Sequence, residues 1–118
     1  MADHLPKFQP GAAVTFTASG AITGGQVVAI TAARTVAVAG AASTAAIGTA
    51  GHDAADGELV VVYLSGPVDT AVSAAAIAVG DSVEAAASGK IQTATTGRVL
   101  GVAITVATAG DQAVEFVR

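Results

Sequence analysis

Hydrophobic and polar residues alternate along this chain in short runs, each cut off by glycine after a few positions. Val14-Thr15-Phe16-Thr17 alternates strictly, and Val114-Glu115-Phe116-Val117-Arg118 comes close. A period of two marks a strand with one buried face. Gln26 to Ile30, Val36-Ala37-Val38, Ser82-Val83-Glu84, Ile91-Gln92-Thr93 and Val99 to Val106 are further β-rich runs. Leu59 to Leu64 is continuously apolar, which predicts a strand covered on both faces. Spacings of about ten residues with glycine between them predict an all-β domain, a small barrel or sandwich. The alanine-rich piece Ser73 to Ala78 has helix propensity, so one helical turn is expected there and no long helix.

The pattern repeats. Ile47-Gly48 through Gly57-Glu58 to Tyr63 matches Leu100-Gly101 through Gly110-Asp111 to Phe116 without a gap. Each copy has a glycine, a second glycine, an acid and then a strand ending in an aromatic. Upstream, Gly24-Gly25-Gln26-Val27 matches Gly80-Asp81-Ser82-Val83. This predicts a domain of two similar halves, over about 22–64 and 78–117. Gly24, Gly48, Gly57, Gly80, Gly101 and Gly110 are read as structural turn glycines, supplying positive φ or room for a neighbouring backbone. Residues 1–13 stand apart. Pro6 and Pro10 oppose regular pairing there, so the segment is expected to be an extended arm, with the β domain at 14–118.

Composition narrows the function. Five basic residues against nine acids give a net charge of −4, and Lys7, Arg34, Lys90, Arg98 and Arg118 are scattered singly. A nucleic-acid binder needs a clustered basic surface to displace counterions from phosphates, so nucleic acid is not an expected partner. The uncharged stretch from Phe8 to Ala33 is interrupted by Pro10, Gly11, Gly20, Gly24 and Gly25, so no membrane span is expected. Met1-Ala2-Asp3-His4 is not a basic region leading into an apolar run, so no secretory signal is expected. The absence of cysteine removes disulfide frameworks and thiolate chemistry.

Candidate chemistry is sparse. Asp53, Asp56 and Glu58 lie close together beside His52, but the alternating oxygen donors of a calcium loop are missing. The repeat replaces His52, Asp53 and Asp56 by Thr105, Val106 and Ala109, so the cluster reads as an exposed turn. No nucleophile elbow and no Gly-x-Gly phosphate cradle occurs. Lys90 in Ser88-Gly89-Lys90-Ile91 lies at a turn, as the modified lysine of a biotinyl or lipoyl carrier does, but lacks the flanking residues of that motif. No catalytic residue, metal or cofactor is expected. Leu5, Pro6, Lys7, Phe8, Gln9 and Pro10 combine apolar groups with a restricted backbone, which lowers the entropy lost on docking. They are the candidate contact to a partner or a neighbouring copy.

The order of these short motifs resembles the capsid cement, or head decoration, proteins of tailed bacteriophages. The resemblance is carried by Phe8-Gln9-Pro10-Gly11 and Val14-Thr15, Ile22-Thr23-Gly24-Gly25-Gln26-Val27-Val28, Ile47-Gly48-Thr49-Ala50, Asp53 to Glu58 and Gly66-Pro67-Val68. The second half adds Gly80-Asp81-Ser82-Val83, Ala86 to Ile91, Leu100 to Ala103 and Ala109-Gly110-Asp111. It implies a non-enzymatic virion protein, made in the host cytoplasm. Such a protein binds the outer face of the assembled major capsid protein shell and stabilises it against internal DNA pressure. It also implies a homo-oligomer, with a trimer favoured. The alternative from the residues is a small β binding module on a virion tail or surface, recognising glycan or protein. The absence of Trp weakens the glycan version.

Overall fold

The computed structural model describes residues 13–64 and 68–117. They form ten strands: β1 (Ala13–Ala18), β2 (Val27–Ala32), β3 (Thr35–Val38), β4 (Ala46–Ala50), β5 (Leu59–Tyr63), β6 (Asp69–Val72), β7 (Ser82–Ala85), β8 (Ile91–Thr93), β9 (Gly101–Ala103) and β10 (Ala113–Val117). The first five close into a barrel in the order β1-β3-β2-β4-β5. Strand β1 runs parallel to β3 and antiparallel to β5. The last five form a sheet in the order β6-β10-β9-β7-β8. This is the same order, with β6 standing for β1, β7 for β2, β8 for β3, β9 for β4 and β10 for β5. The seam between β6 and β8 is nearly open: one parallel bridge, Ser73 to Ile91, stands where β1 and β3 form a ladder.

The registers fix which residues are equivalent, and they correct the gapless repeat. The paired bridges Ile22–Ala54 and Ile77–Ala107 superimpose. Beyond them the second copy has gained one residue. The Ala18 amide donates to the Glu58 carbonyl, and the Ser73 amide to that of Gln112; the Gly57 amide donates to Ala18, and that of Asp111 to Ser73. Glu58 therefore corresponds to Gln112, and Gly57 to Asp111, both with positive φ (83° and 62°). Ala50 pairs with Val62, whereas Ala103 pairs with Phe116. Phe116 is thus the counterpart of Val62, and Tyr63 that of Val117. Upstream, the counterpart of Gly80 is Gly25 rather than Gly24. Their φ values are 91° and 92°. Each is the third residue of a turn closed by Gln26 N–H to Thr23 C=O or Asp81 N–H to Ala78 C=O, as type II geometry requires.

Three local expectations also change. Strand β5 is covered on one face only: Val60 and Val62 are fully buried, while Leu59 and Tyr63 are 65% and 51% exposed. A closed barrel has one inside, so its apolar run still alternates. The run Val99 to Val106 contains only the short β9, after which the chain bends. The helical turn lies at Ala87–Gly89. Ser73 to Ala78 instead spends Ser73 and Ile77 on bridges.

The interior falls into two clusters. The first holds Val14, Phe16, Ala18, Ile22, Val28, Val36, Val60 and Val62, all from the first barrel. The second surrounds Phe116, Ile77, Ile91, Val83 and Val114, and it includes Val27, Ala29, Ala39 and Ala46 from the first half. Val28 points into the first barrel; its neighbours Val27 and Ala29 point the other way and complete the second.

Candidate functional site

The side chains of the densest polar segment, 51–58, are spent on backbone groups, some within the segment and some far from it in sequence. Asp53 Oδ1 accepts the Gly24 amide at 2.8 Å, and Asp56 Oδ1 accepts the Gly20 amide at 2.8 Å. Glu58 Oε1 accepts the Ala55 amide at 2.7 Å. The His52 ring bridges two backbone groups: Nδ1–H donates to the Asp53 carbonyl at 2.8 Å, and Nε2 accepts the Val61 amide at 3.2 Å. That pair of bonds requires the neutral ring protonated on Nδ1. In the second half Thr105 Oγ1 accepts the Glu115 amide at 2.9 Å, doing for β10 what His52 does for β5. Among the described residues, no three His, Asp or Glu side chains converge as metal ligands.

Lys90 follows the turn at Ala87–Gly89 and ion-pairs with Asp111 at 2.5 Å. It edges a solvent-open cleft of about 260 Å³ lined by Thr23, Gly24, Gly25, Gln26, Val72, Ser88 and Gly89. Among the described residues Lys90 is the single ionisable group in that lining, and its charge is paired with Asp111. A Cβ on Gly48 would strike the Tyr63 carbonyl oxygen, and one on Gly101 the Val117 carbonyl oxygen. Both glycines let the neighbouring strand come close. Gly110 approaches Ala74, where a Cβ would lie 2.8 Å from the carbonyl oxygen, and Gly24 packs on the His52 backbone. Gly57 and Gly80 face open space and are needed for positive φ. Leu5, Pro6, Lys7, Phe8, Gln9 and Pro10 lie outside the described residues.

Sequence reasoning passed over Glu84, which is completely buried. Its Oε1 accepts the Thr95 amide at 2.9 Å and the Gly97 amide at 2.7 Å; Oε2 accepts Gln92 Nε2 at 2.6 Å and Thr95 Oγ1 at 3.0 Å. The Thr95 amide first, then the Gln92 side chain, hold its carboxyl at about 2 against an ordinary 4.5, although burial pushes the other way. The loop it holds reaches across to the first barrel. Gly97 packs on the Ala42 backbone. The Arg98 amide donates to the Ser43 carbonyl at 3.1 Å, and Arg98 Nη1 donates to Ala46 at 2.6 Å. Thr49 Oγ1 donates to Asp69 Oδ2 at 2.8 Å across the same divide. Glu84 thus holds the loop whose Gly97 and Arg98 touch the first barrel.

What the arrangement offers is surface. Val79, Val99, Val102, Ile104, Val106 and Val117 are all exposed on the second half.

The head fiber gp8.5 N base of bacteriophage phi29 is similar in structure, with a TM-score of 0.73 at 21% identity, over 90% of this chain and 92% of that one. At that identity the likeness shows the fold. No curated protein matches the sequence. The sequence profile described as phage cement protein matches residues 8–118, nearly the whole length. A double β unit with its polar side chains spent on its own turns and apolar groups left outside is therefore, by that match, a member of the phage cement protein family.

Proposed function

We propose that this protein is a capsid cement: it binds the outer face of the assembled major capsid protein shell and stabilises it against internal DNA pressure, without catalysis. Membership of the cement family, over residues 8–118, carries the reading. The chemistry of the fold supports it. Asp53, Asp56, Glu58 and His52 are committed to backbone bonds, and the buried Glu84 to the loop at Thr95 to Gly97. The energetics follow from linkage: a protein that binds only the assembled shell shifts the equilibrium toward it. Action as a homotrimer would add avidity across a symmetric lattice.

The test uses heads of the parent phage that lack this protein. Saturable binding at a fixed ratio to the major capsid protein is expected, measured by sedimentation and gel densitometry. DNA-filled heads should then release DNA at a higher temperature with the protein bound than without it. Heads that bind no protein would sink the cement reading. Heads that bind it with unchanged DNA release would leave decoration and remove stabilisation. Light scattering on the free protein reports whether the trimer exists before binding.

A further inference from the structure

We propose that the end of the second half crested by Val79 and Val106 is the surface that seats on the capsid shell; this rests on the cement reading above. The duplication supplies the control. The bridges Ile22–Ala54 and Ile77–Ala107 each carry two backbone hydrogen bonds of 2.8 to 2.9 Å, so the two halves hold the same backbone around these bridges, up to the residue added after Ala107. In the first half the flanking residues are polar. The Gly24 amide is bonded by Asp53 and the Gly20 amide by Asp56. In the second half Val79 stands where Gly24 does and Val106 where Asp53 does, and they are 63% and 56% exposed. The backbone does not call for valine at either place.

The rest of this end agrees. Ala74 to Gly80 and Thr105 to Gly110 contain no charged residue, and the acids that follow them are engaged, Asp81 by the Ala78 amide and Asp111 by Lys90. The two segments lie side by side, since a Cβ on Gly110 would meet the Ala74 carbonyl oxygen and Ile77 pairs with Ala107. Ala74, Ala75 and Ala109 are exposed there beside the two valines. Interface cores are depleted of charge because docking strips water from ionised groups.

A second copy of this chain is the weaker occupant. A stable pair buries about 800 Å² per partner, and the apolar side chains this end presents are two valines and three alanines. Two copies meeting there would also bring together two chains of net charge −4. A shell presents a broader surface, so flanking parts of the second half, such as Ile104, add to the contact.

The experiment grafts the first half's residues onto the second. Val79→Gly with Val106→Asp reproduces Gly24 and Asp53, a pair this backbone already accommodates. Binding to undecorated heads is measured by sedimentation, and melting by circular dichroism. The double variant should bind at least tenfold more weakly and melt within a few degrees of the wild type. Leu59→Gln, which removes an equally exposed apolar group from the first barrel, should bind as the wild type does. If the double variant melts early, Val106→Asp alone is read in its place and should show the same loss. Unchanged binding by the grafted variant overturns the proposal while leaving the cement reading in force. A wild type that binds no heads removes both. Self-association in sedimentation velocity that the graft abolishes would hand this end to a second copy and overturn it as well.

Discussion

Replacing Phe116 by Ala tests the register that separates the two halves. The Phe116 side chain is completely buried at the centre of the second cluster. A Cβ on Gly101 would lie 3.0 Å from its ring, so strand and ring are in close contact and the cavity cannot readily collapse. Phe→Ala in such a core costs about 3–5 kcal/mol. Domains of this size hold about 5–15 kcal/mol in all, so roughly a fifth or more of the stability would go. At roughly 3–6 °C per kcal/mol, the melting temperature should fall by about 9–30 °C. Tyr63 is the comparison. The repeat read without a gap makes it the twin of Phe116, but the observed register leaves it 51% exposed on the outer face. Tyr63→Ala should therefore cost about 1 kcal/mol. Both variants are measured by urea unfolding, followed by circular dichroism and extrapolated with a common slope. Equal costs, or a larger cost at Tyr63, would refute the one-residue offset and with it the equivalence of Val62 and Phe116.

Two further outcomes are expected. Because the folded carboxyl of Glu84 sits at about 2, below its ordinary 4.5, its contribution is complete above pH 4.5 and is lost as the pH falls toward 2; Glu84→Gln should flatten the dependence of melting temperature on pH across that window, and an unchanged slope would remove Glu84 from the account. Gly101→Ala drives a methyl into the Val117 carbonyl and should prevent β9 from pairing with β10, giving little folded protein, whereas Gly57→Ala meets open space and should lose only the ~1–2 kcal/mol of a left-handed residue, read from its melting temperature.

The all-β class, the duplication and most strands were legible because alternation survives wherever one face is buried, as in Val14 to Thr17 and Val114 to Val117. Strand β6 was not, since Asp69 to Val72 buries only Ala71 among its apolar residues and owes its conformation to β10. The slip between the copies was hidden because an added loop residue leaves the composition alone and puts one aromatic opposite another. At the polar loop, the sequence identified a turn but not its partners. Asp56 bonds an amide 36 residues away and Asp53 one 29 away, distances at which no local pattern speaks. Glu84 was the least visible. An acid between Val83 and Ala85 in an alternating strand reads as facing water, and only the return of the loop at Thr95 to Gly97 buries it. The exposed valines could be seen as residues but not as an end of the fold.

The uneven closure of the two halves gives them unequal standing. Every residue of the first cluster belongs to the first half, whereas the second cluster borrows Val27, Ala29, Ala39 and Ala46. Dependence therefore runs one way. The first barrel holds its whole interior within its own residues, while the second sheet's interior is complete only against the wall of the first. What began as two interchangeable copies has become a scaffold and a tenant, and the tenant cannot be moved elsewhere without taking the wall along.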